Sequence, residues 1–327
     1  MLKIISRKVL ILAAKLFLLL GIPFTFLSSL WLKFVLKSKQ KGKIENGIFS
    51  NLGILPVLDH YYQPLINPKK HLKKSLRGDR TLPGIDLNLQ EQLEILAKFD
   101  FNNELLRFPI DNKKGVDTVE YFYNNGSYCS GDAEYLYNMI RYFKPKKIIE
   151  IGSGQSTLMA QNAIIENKHE DENYKCEHIC IEPYETSWLE TRNLKVIRKK
   201  VEDIEVHFFE QLESNDILFI DSSHIIRPQG DVLFEYLEIL PILKTGVIIH
   251  IHDIFTPKDY LDEWVYDHLL WNEQYLLEAF LCFNYKFKII GATNYLSHNY
   301  REEFAAKCPV FSIQSGREPG AFWMQKI

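Results

Sequence analysis

From Lys146 onward the chain alternates between two rhythms. Short runs rich in Ile, Val and Phe recur at Lys147–Ile151 (KIIEI), His178–Glu182 (HICIE), Leu194–Arg198 (LKVIR), Asp216–Asp221 (DILFID), Val247–His252 (VIIHIH), Phe287–Gly291 (FKIIG) and Ala321–Ile327 (AFWMQKI). Between them lie amphipathic stretches, notably Leu158–Glu166, Asp231–Leu240 and Leu261–Leu281, which predict helices. Near-continuous apolar runs suit strands covered on both faces. Their alternation with helices predicts a doubly wound α/β sheet. Ligands of such sheets bind beyond the carboxyl ends of the strands, so the chemistry is sought just after each run.

Residues 44–145 follow neither rhythm strictly. Pro56, Pro64, Pro68, Pro83-Gly84 and Pro109 punctuate them with turn signals. Two helices stand out, Asn88–Lys98, with Asp86 or Asn88 as cap, and Gly131–Phe143, with Asp132 at its favourable start. The chain opens differently again. Leu16–Leu32 (LFLLLGIPFTFLSSLWL) is an apolar run without a charge, interrupted by Gly21 and Pro23. Its seventeen residues would span roughly 26 Å as a helix, just short of a hydrocarbon core, and proline is expected to break or kink it.

Charge separates this leader from the rest. Residues 1–43 hold nine Lys or Arg and no Asp or Glu, whereas the remainder holds thirty basic and forty-two acidic residues. The net charge of −3 therefore averages a +9 leader with a −12 body. The basic residues Lys3, Arg7, Lys8 and Lys15 precede the run; Lys33, Lys37, Lys39, Lys41 and Lys43 follow it. With both flanks cationic, the leader reads as a kinked monotopic helix pair on the cytoplasmic leaflet or as a single spanning helix. A cleaved signal peptide and an apolar helix packed on the protein's own body are the remaining readings. The acidic body lacks a basic, aromatic-interleaved stripe, which argues against a nucleic-acid partner. Five scattered cysteines (Cys129, Cys176, Cys180, Cys282, Cys308) read as free thiols rather than a disulfide scaffold.

The first run ends in Glu150-Ile151-Gly152-Ser153-Gly154-Gln155-Ser156-Thr157. Two glycines between strand and helix let a backbone pass close to a ligand. A full dinucleotide motif would need a third glycine where Thr157 stands, which disfavours an NAD-dependent enzyme. Glu150 inside a strand needs a partner, either a cationic ligand or a protein donor. Glu182, ending the second run, can accept from a ribose diol. Glu202 and Asp203 follow the third run, where they could meet an adenine edge or form a solvated turn. The fourth and fifth runs bring Asp221, His224, His250, His252 and Asp253. If these strands are neighbours, Asp221 and Asp253 could converge on a hard divalent cation, and a histidine could take a hydroxyl proton. Alternation puts His250 and His252 on one face, with His250 buried and His252 at the mouth. Alternatively, Asp253 caps a helix and His224 is a polar loop residue.

EIGSGQST, ICIEP, LFIDSSH and VIIHIHDIF, in this order and spacing, resemble class I S-adenosylmethionine-dependent methyltransferases, closest to a bacterial subgroup that modifies sugars and polysaccharides. The resemblance covers about residues 128–327. It divides the chain into a membrane-associating leader (1–43), an N-terminal extension (44–127) and a methyltransferase domain (128–327) whose last strand is reversed. It implies S-adenosylmethionine as cofactor, with Glu150, Gly152, Gly154 and Ser156 along its methionine and ribose portion. Glu182 would lie at the ribose hydroxyls, Glu202 or Asp203 at the adenine, and Asp221 beside the reacting methyl. It further implies Mg2+ on Asp221 and Asp253, although Ile254 stands where several such enzymes place another ligand. His252 could replace that ligand. The implied reaction is O-methylation of a sugar or glycan hydroxyl, with His252, His224 and Asp221 as catalytic residues, at the cytoplasmic face of a membrane. The alternative is a non-catalytic, membrane-anchored partner of a glycan-assembly complex that retains the fold. Tyr61, Tyr62, Tyr121, Tyr123 and Tyr128 could wall an acceptor site or simply pack.

Overall fold

The structure, a computed structural model, describes residues 2–38, 43–112, 119–184 and 186–327. It divides into two compact units: residues 1–73 with 266–268, and residues 74–265 with 269–327.

In the first unit a single helix runs from Leu2 to Lys37 with Pro23 inside it. The expected break at Pro23 does not occur. Proline leaves the Leu19 carbonyl without its amide donor, and the helix runs on past that one missing bond; Thr25 Oγ1 donates to the Gly21 carbonyl (3.1 Å) and Ser28 Oγ to that of Thr25 (3.0 Å). Residues Leu10–Lys37 have a mean hydropathy of 2.3 and are exposed within this unit. Of the basic flanks, Lys39 and Lys41 lie outside the described residues, as do the side chains of Lys3, Arg7, Lys8 and Lys43. Further on, Asp59 gathers the Asn67 amide, Lys70 and His71. Tyr61 and Tyr62 are exposed, with ring centroids 4.3 Å apart.

The second unit is built on a seven-stranded sheet in the order β3-β2-β1-β4-β5-β7-β6. The strands are β1 (Lys147–Ile151), β2 (Glu177–Ile181), β3 (Lys195–Ile197), β4 (Ile217–Ile220), β5 (Ile248–Ile251), β6 (Phe287–Ala292) and β7 (Phe322–Lys326). β1 to β5 pair in parallel, while β7 enters antiparallel between β5 and β6. This is the predicted doubly wound sheet with a reversed last strand. Each face is covered by its own apolar cluster. Ile148, Phe219 and Trp323 meet Tyr135, Met139 and Met159 from the Asp132–Phe143 and Gln155–Glu170 helices. On the other face Ile149, Leu218 and Ile249 meet Tyr236, Ile239 and Leu277. Burying each of these large side chains contributes roughly 1.5–3 kcal/mol.

The Leu261–Leu281 helix expected from periodicity is two helices, Asp262–Tyr266 and Glu273–Leu281. Asn272 starts the second, and its side chain leaves to accept from the Ile226 amide (2.6 Å). The Asp231–Ile242 helix contains a π turn at Glu235–Ile239, just before Pro241, which has no amide to continue an α ladder. Tyr121, Tyr123 and Tyr128 are core residues, and all five cysteines are free.

Candidate active site

Strand register decides what meets at the carboxyl edge. Ile151 is level with Ile181 on one side and with Ile220 on the other, and Ile220 is level with Ile251. The residues that follow, Gly152, Glu182, Asp221 and His252, therefore form a row along that edge.

Gly152 is the tightest point of the row. It has φ +77°, and a Cβ there would lie 1.9 Å from the Asp221 carbonyl oxygen, so only glycine fits. Its amide donates to the Ile181 carbonyl (3.0 Å), and the Asp221 amide donates to that of Ile151 (2.9 Å). Gly154 is different. Its backbone is extended, nothing lies within 4 Å of an added Cβ, and its amide donates to Thr157 Oγ1 (3.0 Å). Thr157, which breaks the dinucleotide motif, thus closes the turn into the next helix.

Beside Gly152 opens a cavity of about 350 Å3, lined by Glu182, Tyr184, Lys200, Glu202, Asp221 and Arg227 among others. That is within the range of small-ligand sites. The Glu182 carboxylate accepts from the Ser153 amide (3.2 Å) and the Tyr184 amide (3.0 Å), which fixes its direction at the rim. Glu202 lines the cavity and Asp203 does not. A second recess, sharing Gly152, Glu182 and Asp221 with the first, is lined also by Tyr128, Ser156 and Trp188. A glycine packed on the Asp221 backbone, opening onto these recesses between two acids at strand ends, fits the adenosyl and sulfonium portions of S-adenosylmethionine.

Glu150 turns away from both recesses. Its carboxylate accepts from Ser156 Oγ (2.7 Å), lies 2.8 Å from His178 Nε2 and takes a weak contact from the Cys180 thiol (3.5 Å). Gln161 Nε2 lies 2.7 Å from His178 Nδ1 and closes the chain. Of the two readings of Glu150, the protein-donor one describes these contacts. Ser156, also expected to face the cofactor, directs its hydroxyl to Glu150 while bordering the second recess. Burial and the Glu150 charge push the Cys180 thiol far up, so it stays protonated.

Past β4 and β5 the acids and histidines converge. His224 Nε2 lies 3.3 Å from Asp221 and 3.6 Å from Asp253. His252 Nδ1 lies 3.4 Å from Asp221 and 3.7 Å from Asp253. Each imidazole is backed by an acid on its other nitrogen: Glu273 at 2.8 Å for His224, Asp132 at 3.6 Å for His252. Tyr236 in turn donates to Glu273 (3.1 Å). His224 and Asp253 both have positive φ, +59° and +56°, a strained backbone that non-glycine residues seldom hold. Asp253 does not cap a helix, and His224 is buried against Trp271 with ring centroids 4.3 Å apart. His252 was expected at the mouth, but it is only 5% exposed because Asp132 and Tyr128 cover it.

These neighbours set the charges. Burial opposes a cation on His224, but the hydrogen bonds and charges of Asp221 and Glu273 outweigh it and raise its pKa well above the usual histidine value. His252 is raised likewise, against burial, by Asp253, Asp221 and Asp132. Asp221, half-buried, is held well below the usual carboxylate range by His252 and His224, against the desolvation it does suffer. His250 goes the other way: burial, then the charge of His252, keep it neutral between Phe219 and Trp323.

Asp132 and Glu273 are the residues that sequence reading missed. Asp132 also accepts from the Ala321 amide (2.7 Å), the Gly320 amide (3.0 Å) and Thr293 Oγ1 (3.2 Å), joining the reversed strand to the site. Glu273 opens an amphipathic helix on its buried side. Glu273 shares the buried side of that helix with Gln274 and Glu278, so no apolar pattern singled it out. The implied Mg2+ does not fit well here. Mg2+ demands an octahedral oxygen shell, and His252 Nδ1 stands within reach of both acids.

Residues 149–254 match a family model described as a methyltransferase domain. An uncharacterized protein of Archaeoglobus fulgidus is 34% identical over 168 residues, 48% of this chain and 74% of the relative. Among solved structures, the plantazolicin methyltransferase BpumL in complex with SAH is similar with a TM-score of 0.38 and 14% identity, over 73% of this chain and 99% of that one. An O-methyltransferase from Bacillus cereus in complex with SAH has a TM-score of 0.31 and 12% identity, over 80% of this chain and 94% of that one. Structural likenesses this distant say nothing about substrate.

Proposed function

From a chain that belongs to the family of its archaeal relative and carries a class I S-adenosylmethionine-dependent methyltransferase domain, we propose a more specific reaction: methyl transfer to a hydroxyl oxygen of a sugar or glycan. The observation that carries this reading is the acid–histidine cluster beside Gly152, with Asp221 belonging to the cluster and lining the same recesses. A sulfonium methyl is already activated, whereas a hydroxyl must lose its proton, and that is the task for which acids and imidazoles are suited.

In this reading Gly152 and Glu182 hold the cofactor, with Glu202 toward its adenine and Asp221 near the methyl. The acceptor oxygen attacks the methyl carbon in line with the departing sulfur. The carbon–sulfur bond breaks, its electron pair stays on sulfur, and S-adenosylhomocysteine leaves. His224, which Asp221 and Glu273 hold as the cation at rest, takes the hydroxyl proton at Nε2 from its neutral form, oriented through Nδ1 by Glu273 (2.8 Å), so turnover is expected to rise with pH. Glu273 and Asp221 then stabilise the imidazolium. Residues 44–127 are the proposed acceptor-selecting extension. The leader is proposed to hold the enzyme at the cytoplasmic face of a membrane, because it joins a long apolar helix to cationic ends.

The test is methyl transfer from labelled cofactor to glycans of a deletion strain, read by mass spectrometry. A methylated sugar oxygen is expected. Cofactor binding without transfer to any glycan would favour the non-catalytic reading. For the leader, membrane fractionation before and after removal of residues 1–43 is decisive: a full chain that remains in the soluble fraction overturns the membrane proposal.

A further inference from the structure

Between Leu52 and Leu65 the chain exposes what a folded protein ordinarily covers. Leu52, Ile54, Leu55, Tyr61, Tyr62 and Leu65 are all exposed, Leu55 to 79% and Tyr61 to 83%. In the second unit, by contrast, exposed apolar side chains such as Leu106, Ile165 and Leu237 stand singly along the chain. A run this dense, in the same unit as the apolar Leu2–Lys37 helix, marks a surface that meets something apolar.

The local structure holds the run outward. The helix Lys43–Asn51 ends in a left-handed turn at Gly53 (φ +67°). There the Gly53 amide donates to the Ser50 carbonyl (3.1 Å) and the Ile54 amide to that of Phe49 (2.9 Å), which stops the helix and turns Ile54 and Leu55 away from it. Asp59 then works as a clasp. Its carboxylate accepts from the Asn67 amide (3.2 Å) and Lys70 Nζ (3.1 Å) and lies 2.8 Å from His71 Nε2. The clasped turn carries the rings of His60, Tyr61 and Tyr62, with centroids 4.3–6.2 Å apart. The short helix Pro68–His71 carries Lys69 and Lys70. From 47 to 73 Asp59 is the one acid, against Lys69, Lys70 and Lys73, which are all exposed.

We infer that residues 52–73 form a docking surface for an anionic lipid bilayer, separate from the leader helix. Leu55 and its apolar neighbours enter the acyl boundary. Tyr61 and Tyr62, apolar in body and polar at the tip, sit at headgroup level. Lys69, Lys70 and Lys73 meet the lipid phosphates. The lysines decide between a bilayer and a protein partner: protein interfaces are depleted in lysine, whereas anionic lipid attracts it. The inference depends neither on methyl transfer nor on insertion of the leader.

The experiment uses the full chain in vesicles, with photoreactive p-benzoylphenylalanine in place of Leu20, Tyr62 or Tyr285, the last an exposed residue of the second unit. The vesicles are phosphatidylcholine alone, or the same lipid with about one-third phosphatidylglycerol. After irradiation, lipid adducts at each position are counted by mass spectrometry. In the anionic vesicles position 62 is expected to take lipid ~10-fold more often than position 285, and neutral vesicles should lower that several-fold. Lys69→Gln, Lys70→Gln and Lys73→Gln together should lower it ~10-fold. Adducts at 62 no more frequent than at 285, equal labelling in the two vesicles, or cross-linking from 62 into protein instead of lipid overturns the inference. Position 20 separates the two membrane claims. Lipid at 20 but not at 62 sinks the docking surface alone, and lipid at 62 but not at 20 sinks the leader's insertion alone.

Discussion

Glu150, His178 and Cys180 lie inside the sheet, whereas Asp221, His252 and Asp253 lie just past its edge. The residue types are nearly the same, yet the two groups are built differently. In the first, short hydrogen bonds join every polar atom that matters, and a neutral thiol completes the packing. In the second, contacts run from 3.4 to 3.7 Å, one nitrogen has no hydrogen-bond partner and Asp253 sits on strained backbone. A closed network stabilises the fold, while an open one leaves binding capacity for something else. Which residues do chemistry is thus written in how well they are satisfied rather than in what they are.

Substitutions can break or sharpen this contrast. The largest effect is expected for Asp253→Ala: a turnover loss of ~100- to 10,000-fold with cofactor affinity little changed, read by steady-state kinetics and calorimetry. Undiminished turnover would remove the open cluster from the mechanism. Gly152→Ala comes next, because its Cβ meets backbone at positive φ. About 3 kcal/mol of strain should cost ~100-fold in S-adenosylhomocysteine affinity, measurable by calorimetry. For the closed cluster the loss should fall on stability. His178→Ala leaves Glu150 buried without its main partner and should cost about 3 kcal/mol in urea unfolding. An unchanged midpoint would show that the two clusters do not differ as described. Glu182→Gln weakens a charged acceptor and is expected to lower cofactor affinity ~10-fold. Asp203→Asn, one residue from the cavity-lining Glu202, should change affinity less than ~2-fold.

The strands were legible because a strand covered on both faces must be mostly apolar, and each of the seven runs has an apolar centre that the few polar residues within it do not hide. Gly152, Glu182, Asp221 and His252 were legible for a related reason: the motif places each just after such a run, and register then aligns them. The helices were less so. Periodicity joins Leu261–Leu281, but the Asn272 and Glu273 amides donate to the His224 carbonyl and the Asn272 side chain accepts from the Ile226 amide, which divides it. Pro23 predicts a break, but the loss of one amide donor in a 36-residue apolar helix does not end it. Asp132 and Glu273 reach the site over long separations, Glu273 from 49 residues beyond His224. No local pattern records which histidine such an acid will find. The orientation of Glu150 is likewise a matter of what β2 presents at the level of the same residue pair, Cys180 with His178 two positions before it.

The left-handed backbone at His224 and Asp253 has a consequence for descent. Glycine would relax both positions, so random drift that abandons the chemistry is also drift toward a sturdier fold. Lineages released from selection for activity should therefore accumulate glycine or asparagine there while keeping Gly152, whose neighbours tolerate nothing larger. A descendant carrying that signature would be a silent scaffold, recognisable by having traded its reagents for ease of folding.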